Sequence, residues 1–158
     1  GVFFAGHMPH LLWQTSDLPA NHPGIRAWLD EAGLGNLLPP LALDAGQESW
    51  PVKSPVDGVF SANTTHIMDW DSVVCLFRGV GKHLRPGGLF VLYGPFRYGG
   101  SHTSESNARF DAWLKARDPR SGVRDFEALN ELAAGNGMAL AEDIEMPVNN
   151  RILAWRRQ

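Results

Sequence analysis

Short apolar segments alternate with amphipathic helical segments through most of this chain, and this alternation constrains the fold more than any other feature. Four segments have strand character, and they are residues 10–14, 41–43, 58–62 and 89–93. The clearest helical segment follows Asp69, which is its predicted cap. Its apolar stripe consists of Val73, Leu76, Phe77, Val80 and Leu84. Strands that alternate with helices predict a doubly wound sheet of parallel strands.

Another helical segment lies between the first two strand segments. Asn21 is its predicted cap, Pro23 lies in its first turn and Gly33 ends it. Its apolar stripe consists of Ile25, Trp28, Leu29 and Ala32. We therefore expect Trp28 to lie in the core, and the same reasoning applies to Trp113 on a later helical stripe.

The last third of the chain has a different pattern. Residues 96–103 are polar and glycine-rich and are predicted to form a loop. Two helices are predicted to follow, with Ser104 and Asp125 as their caps. Residues 138–146 and 151–155 then predict two strands joined by a short turn, which is typical of an antiparallel hairpin.

Composition restricts the classes of function. The chain has 158 residues, and we expect one domain over residues 1–158. Its formal net charge of -3 disfavours a nucleic-acid partner, because phosphate binding needs clustered Lys and Arg. Cys75 is the only cysteine, which excludes an internal disulfide and a multi-cysteine metal site, and no metal site is predicted.

The sequence has no recognisable signal peptide and no apolar run near the ~20 residues that cross a bilayer. We therefore expect no membrane partner and a cytoplasmic location, and leave the oligomeric state open.

Polar residues lie at or just after the ends of the predicted strands, at the edge of an open α/β sheet where ligands bind. They are Asp17, Asp44, Asn63 and Tyr93. A carboxylate at the end of one strand can accept hydrogen bonds from both hydroxyls of a ribose, and one on the neighbouring strand can accept from the amino group of adenine. Asp17 and Asp44 together favour a nucleoside ligand. The alternative is that each carboxylate only caps the following helix or turn.

Residues 84–89, Leu-Arg-Pro-Gly-Gly-Leu, lead into the fourth strand segment. This junction resembles the helix-to-strand junction of class I S-adenosylmethionine-dependent methyltransferases, with residues 16–18 and 41–45 at suitable distances before it. More narrowly, the whole chain resembles the methyltransferase-like 26 family, whose substrate is uncharacterised. The segments that carry this resemblance are 10–17, 60–63, 66–68, 93–96, 100–104, 106–107 and 146–150. The resemblance implies an α/β fold with a Rossmann-like, mostly parallel sheet, flanking helices and a C-terminal antiparallel hairpin.

The resemblance also implies a cofactor, S-adenosylmethionine, and a small-molecule methyl acceptor. The ribose of the cofactor would lie near Asp17, its adenine near Asp44 and Ala45, and its methionine portion near Asn63. The family's first strand ends in a glycine-rich loop of the form Glu-x-x-x-Gly-x-Gly, and this chain has no segment like it. We therefore expect an N-terminally incomplete methyltransferase-like domain that lacks the first strand and this loop.

Candidate residues for the acceptor follow the third and fourth strand segments. His66 is a candidate catalytic base or hydrogen-bond donor, and Tyr93 is a second candidate catalytic residue. The candidates for substrate binding are Arg97, His102, Asn107 and Asn149. The alternatives are structural: His66 packs against the next helix, Asn107 belongs to a helix cap, and Asn149 is a turn residue.

The preferred interpretation is methyl transfer from S-adenosylmethionine to an unidentified small molecule. The alternative is a methyltransferase fold that has lost catalysis and serves as a binding or scaffold protein. A nicotinamide-dependent oxidoreductase is disfavoured, because the chain has no Gly-x-Gly-x-x-Gly fingerprint.

Overall fold

Helices and strands alternate through the first two thirds of the chain, as the sequence pattern predicts. The structure is a computed structural model and describes residues 1–53 and 55–158. The helices are α1 (Val2–His7), α2 (His22–Ala32), α3 (Trp70–His83), α4 (Glu105–Arg117) and α5 (Phe126–Gly135). The strands are β1 (Trp13–Asp17), β2 (Leu37–Ala42), β3 (Val56–Ala62), β4 (Leu84–Gly94), β5 (Phe96–Tyr98), β6 (Ser101–His102), β7 (Arg124–Asp125), β8 (Met138–Met146) and β9 (Asn150–Arg157). The chain divides into two compact units, formed by Gly1–Asp44 with Ser49–Val52 and by Ala45–Glu48 with Lys53–Gln158.

The smaller unit contains two parallel strands and the helix that connects them. β1 pairs with β2 from Trp13, opposite Leu37, to Asp17, opposite Ala42. β1 lies further along the chain than the predicted segment 10–14, and β2 begins earlier than the predicted segment 41–43. Consecutive prolines within β2 favour its extended backbone.

Helix α2 starts and ends where the sequence predicts, but two of its expected contacts are absent. Asn21 precedes the first helical residue, yet its side chain makes no cap and instead donates from Nδ2 to Asp17 Oδ1 at 2.9 Å. Trp28 is 66% exposed, which contradicts its predicted place in the core. The half-buried face carries Ile25 and Leu29, and Trp28 lies about 100° around the helix from Leu29.

The larger unit is built on a four-stranded sheet with the order β3-β4-β9-β8. β3 and β4 are parallel, whereas β9 is antiparallel to both β4 and β8. The α/β fold with a C-terminal antiparallel hairpin is therefore confirmed, and this sheet is mixed. β4 is irregular near its start, where Gly87 has φ +79° and the register with β3 shifts between Leu84 and Leu89.

The core of this unit lies between the sheet and α3. Asp69 caps α3 as predicted, since its Oδ1 accepts from the Ser72 backbone N–H at 2.8 Å. Phe77 on α3 meets Phe90 on β4 and Trp155 on β9, with ring centroids 5.2 to 5.7 Å apart. The five apolar residues of the predicted α3 stripe are buried. The helix with the clearest period in the sequence thus supplies the centre of the core.

Three predictions for the last third differ from the structure. Residues 96–103 contain β5 and β6, which form a small three-stranded sheet with β7, in place of an irregular loop. Trp113 is 52% exposed, because the inward face of α4 carries Asn107, Asp111 and Leu114, and Trp113 lies about 100° away from Leu114. Ser104 caps α4 as predicted by accepting from the Asn107 N–H at 3.2 Å. Asp125 precedes α5 but makes no side-chain cap.

Candidate functional site

Two predicted cofactor-binding carboxylates lie at the carboxyl ends of neighbouring strands in the smaller unit. Asp17 is the last residue of β1 and pairs with Ala42, the last residue of β2. Asp44 follows Ala42 by two positions, and the intervening Leu43 N–H donates to Asp17 O at 3.0 Å. Ala45, the next candidate along the chain, begins a turn that belongs to the larger unit. The order of carboxylates along the two strand ends is the one that the nucleoside interpretation requires.

The Asp17 carboxylate also organises the turn that follows β1. Its Oδ1 accepts from the Leu18 N–H at 2.7 Å and from Asn21 Nδ2 at 2.9 Å. These contacts fit the structural alternative, in which the carboxylate stabilises a turn. They use one of the two carboxylate oxygens, so the turn role and a ligand role are compatible.

Asn63 and His66 lie together at the carboxyl end of β3 in the larger unit. Asn63 has φ +55°, and its N–H donates to Tyr93 O at 2.8 Å. A Cβ placed on Gly94 would lie 3.7 Å from Asn63 Oδ1 and 3.7 Å from His66 Nδ1. The ends of β3 and β4 therefore bring the predicted residues Asn63, His66 and Tyr93 into one neighbourhood.

The His66 side chain is only 5% exposed. Its ring meets the Phe110 ring edge-on with centroids 5.3 Å apart, and its carbonyl accepts from the Gly122 N–H at 2.9 Å. Burial, with the positive charge of Arg124 nearby, lowers the pKa of His66 to about 4. The imidazole is therefore neutral at pH 7 and can both donate and accept a hydrogen bond, but it is a weak base.

Tyr93, Asn107 and Asn149 meet around the turn between β8 and β9. Asn150 Nδ2 donates to Tyr93 Oη at 3.0 Å. Asn107 Nδ2 donates to Asn149 O at 2.9 Å and to Thr103 Oγ1 at 3.0 Å, while Asn149 Nδ2 donates to a serine hydroxyl of α4 at 3.1 Å. Three predicted site residues are thus linked through one turn. We call residues 147–150 the β8–β9 turn.

Backbone strain is concentrated in the β8–β9 turn. Val148 has φ +56° and Asn149 has φ +60°. Asn adopts this left-handed region readily, whereas a β-branched residue there is uncommon. The Val148 side chain is 79% exposed, so burial does not compensate for its conformation. Strained backbone of this kind is often found at binding sites.

Arg97 and His102 are held by carboxylates of the larger unit. Arg97 Nη2 donates to Asp125 Oδ2 at 2.5 Å, and its Nε is buried with no hydrogen-bond partner in the described residues. His102 Nε2 lies 3.1 Å from Asp111 Oδ2. Arg97 therefore retains an unused donor, whereas one His102 ring nitrogen is already engaged.

Sequence reasoning missed two residues that support this region. Asp111 is 4% exposed and accepts from the Val123 N–H at 2.8 Å and from Lys115 Nζ at 2.7 Å. Arg124 donates to the carbonyls of Thr65, at 3.0 Å, and of Met68. The i,i+4 spacing of Asp111 and Lys115 signals an ion pair on one helix face. No local signal identifies Thr65 and Met68 as partners of Arg124, because they lie more than 50 residues earlier in the chain.

Two features are absent from the part of the chain that the structure describes. No helix there is long and apolar enough to cross a membrane. No group of three or more His, Cys, Asp or Glu side chains there is arranged to hold a metal ion.

Comparison with known proteins assigns the chain to a family. A family model described as "Protein of unknown function (DUF938)" matches residues 1–157. The chain belongs to this family. The DUF938 description names no activity, so the family assignment leaves the reaction open.

Solved methyltransferase structures share the fold of this DUF938 chain. An O-methyltransferase family protein from Burkholderia thailandensis matches with a TM-score of 0.87 at 14% identity, over 99% of this chain and 47% of that one. An O-methyltransferase family 2 protein from Planctomyces limnophilus DSM 3776, solved with apigenin, gives 0.86 at 14% identity, over 99% and 47%. The S-adenosylmethionine-dependent methyltransferase SibL in its apo form gives 0.81 at 20% identity, over 99% and 46%. The chain has the methyltransferase fold and spans slightly less than half the length of these proteins.

Proposed function

We propose that this protein transfers a methyl group from S-adenosylmethionine to an unidentified small-molecule acceptor. The observation that carries the proposal is the pair of carboxylates at adjacent strand ends, with Asp17 opposite Ala42 and Asp44 two positions beyond. The methyltransferase fold of the chain supports it. The narrower resemblance to the methyltransferase-like 26 family remains a prediction.

The hydrogen-bonding groups at the strand ends fit the proposed cofactor. The Asp17 contacts within the protein use Oδ1, which leaves Oδ2 as an acceptor for ribose hydroxyls. We assign the adenine amino group to the Asp44 carboxylate. The places of Ala45 and Asn63 at the cofactor remain predictions from the sequence. S-adenosylmethionine supplies an electrophilic methyl group on a sulfonium centre. The protein's contribution is then to bind and align the reactants and to exclude water.

The acceptor is assigned to the region of Tyr93, Asn107 and Asn149. Asn107 and Asn149 use their amide N–H groups within the protein, so their amide oxygens can accept from an acceptor hydroxyl or amine. Tyr93 Oη accepts from Asn150 and can still donate its own proton. Arg97 Nε provides a further donor, and His102 is proposed to contact the substrate through its other ring nitrogen.

We assign His66 a hydrogen-bonding role toward the acceptor. A general base works best when its pKa lies near the working pH, and the His66 pKa of about 4 is far below 7. The neutral ring can orient an acceptor hydroxyl at Nδ1 or Nε2 without carrying its proton away. The same weak basicity favours the alternative function, a methyltransferase fold that binds ligand without catalysis.

Calorimetry and thermal melting of the complete native protein with S-adenosylhomocysteine test cofactor binding. A ligand at about a hundred times its Kd adds about 2.7 kcal/mol to the free energy of unfolding. Asp17→Asn keeps an Oδ1 that can accept from Leu18 and Asn21 but replaces Oδ2 with a donor. We expect it to weaken binding about tenfold or more, because a hydrogen bond to a charged group contributes ~1.5–3 kcal/mol.

Asp30→Asn is the matched control, because Asp30 is an exposed residue of α2 in the same unit. Equal affinities for the wild type and Asp17→Asn would remove the ribose assignment. Absence of heat and of a melting shift in the wild type would refute cofactor binding. Binding without release of S-adenosylhomocysteine from S-adenosylmethionine, across a metabolite extract, would favour the non-catalytic alternative.

A further inference from the structure

His22 connects the two strand ends that carry the proposed nucleoside site. Its Nε2 lies 2.9 Å from Asp17 O and 3.1 Å from Leu41 O. Both partners are carbonyl oxygens, which only accept, so Nε2 must carry the proton and donate to both. A single ring nitrogen therefore links the end of β1 to the end of β2.

The two carbonyls lie where the strand ladder ends. Asp17 and Ala42 form the last pair of β1 and β2, and Leu41 immediately precedes Ala42. Beyond this pair, the Leu43 N–H donates to Asp17 O at 3.0 Å. No further β1–β2 pair extends past this point in the described residues, so the contacts to Asp17 O and Leu41 O hold the separation of the strand ends.

The sequence places the His22 ring at this position through a short turn. Asp17 Oδ1 binds both the Leu18 N–H and Asn21 Nδ2, which closes the turn directly before His22. His22 is the first residue of α2, with Pro23 next, so its side chain extends backward from the helix start toward the strands. The ring is half-buried there.

We propose that His22 is a positioning residue that sets the spacing of Asp17 and Asp44 for a ligand with a vicinal diol and an adenine base. The proposal builds on the nucleoside site proposed above and adds a residue that does not itself touch the ligand. In a bound nucleoside the diol and the base lie at a set separation, so the carboxylate that recognises the diol must keep a matching distance from the one that recognises the base. Loss of the His22 contacts lets the strand ends separate and weakens recognition of the diol in particular.

The test compares His22→Gln and His22→Leu in the complete native protein. The Gln amide can place an N–H near the position of Nε2, whereas Leu fills similar space without a donor. His10→Gln is the control, because His10 is exposed in the same unit. Calorimetry with S-adenosylhomocysteine measures affinity at a temperature where all variants are folded. We expect about tenfold weaker binding for His22→Leu and restoration to within about threefold for His22→Gln.

A second measurement separates positioning from general destabilisation. The ratio of the affinities for adenosine and 2′,3′-dideoxyadenosine reports contact with the diol. We expect this ratio to fall toward one in His22→Leu and to stay at the wild-type value in His22→Gln. Hydrogen exchange without ligand should show faster exchange of the Leu43 amide in His22→Leu alone.

The outcomes distinguish this inference from the proposed function. If the wild type binds S-adenosylhomocysteine and His22→Leu binds it equally well with the same diol preference, the inference is overturned and the proposed function stands. If the wild type does not bind it, the proposed function fails, and the assignment of His22 to a nucleoside site fails with it.

Discussion

Asn107 and Asn149 lie 42 residues apart in the chain and are joined by a hydrogen bond of 2.9 Å from Asn107 Nδ2 to Asn149 O. Asn107 is 6% exposed on the inner face of α4, and Asn149 belongs to the β8–β9 turn. The same Nδ2 donates to Thr103 Oγ1 at 3.0 Å. One buried amide therefore fixes the position of the turn against the start of α4.

Replacement of Asn107 should destabilise the protein through this contact. In Asn107→Ala, the turn loses its donor and a buried cavity forms, and we expect the free energy of unfolding to fall by about 1–3 kcal/mol. Ser106→Ala is the control, since Ser106 is exposed and its hydroxyl contacts two other side chains, those of Asn149 and Ser104. It should change stability by less than about 0.5 kcal/mol. Urea unfolding followed by circular dichroism measures both values, and equal effects would contradict the central role of Asn107.

Relief of the Val148 strain should stabilise the protein. Val148 has φ +56° and a solvent-exposed side chain. Glycine adopts this φ without steric strain, and its substitution for Val148 removes little packing. A side chain in the left-handed region costs ~1–2 kcal/mol. We expect Val148→Gly to be more stable than Val148→Ala by about 1 kcal/mol in urea unfolding. If Val148→Gly were less stable than Val148→Ala, the positive φ of Val148 would not be strained.

The fold was largely predictable because its central helix has a clear local signal. The α3 stripe and its Asp69 cap follow from the spacing of residues within one helix. Trp28 and Trp113 were misassigned because a tryptophan at the edge of a stripe has the same sequence signal as one at its centre. The short strands β5 and β6 were missed because they pair with β7, whose position relative to residues 96–103 depends on tertiary structure.

The positions of the candidate residues at the strand ends could be predicted from the sequence, but their electrostatics could not. Asp17 and Asn63 became candidates because strand ends can be recognised from apolar runs, and in the structure they lie at the ends of β1 and β3. The weak basicity of His66 could not be predicted, since it depends on burial against Phe110 and on Arg124. The partners of Asn107 likewise come from a turn far along the chain.

His66 should make stability depend on pH in the mildly acidic range. Its pKa is about 4 in the folded protein and near the ordinary 6.5 when unfolded, so between these values only the unfolded state binds the proton. The contribution of the neutral His66 ring to the free energy of unfolding is therefore fully present above pH 6.5 and is lost as the pH falls toward 4. The upper limit of this loss of stability is about 3 kcal/mol, at 1.36 kcal/mol per pKa unit.

Chemical unfolding at a series of pH values should show this loss in the wild type and a weaker pH dependence in His66→Asn. Identical pH profiles would contradict the low pKa.

Asp111 should matter far more to stability than its helical partner Lys115. Burial raises the pKa of Asp111, but hydrogen bonds from Lys115 and from the Val123 N–H outweigh it, and the net pKa lies below the ordinary 3.8. The stabilisation is therefore present above about pH 4 and is lost as the pH falls through the folded-state pKa. Asp111→Ala leaves the buried Val123 N–H without an acceptor, and we expect a loss of about 2–4 kcal/mol at pH 7.

Two further variants show which contact of Asp111 stabilises the fold. Lys115→Met removes a half-exposed ammonium, and a loss below about 1 kcal/mol is expected because the Val123 N–H and the His102 ring still contact the remaining carboxylate. Asp111→Asn keeps an acceptor for Val123 but presents an amide N–H to Lys115 and His102, so its stability should lie between those of Lys115→Met and Asp111→Ala. Urea unfolding at pH 7 measures all three. A loss for Lys115→Met as large as that for Asp111→Ala would mean that the ion pair, and not the acceptor for the Val123 amide, is what the buried carboxylate provides.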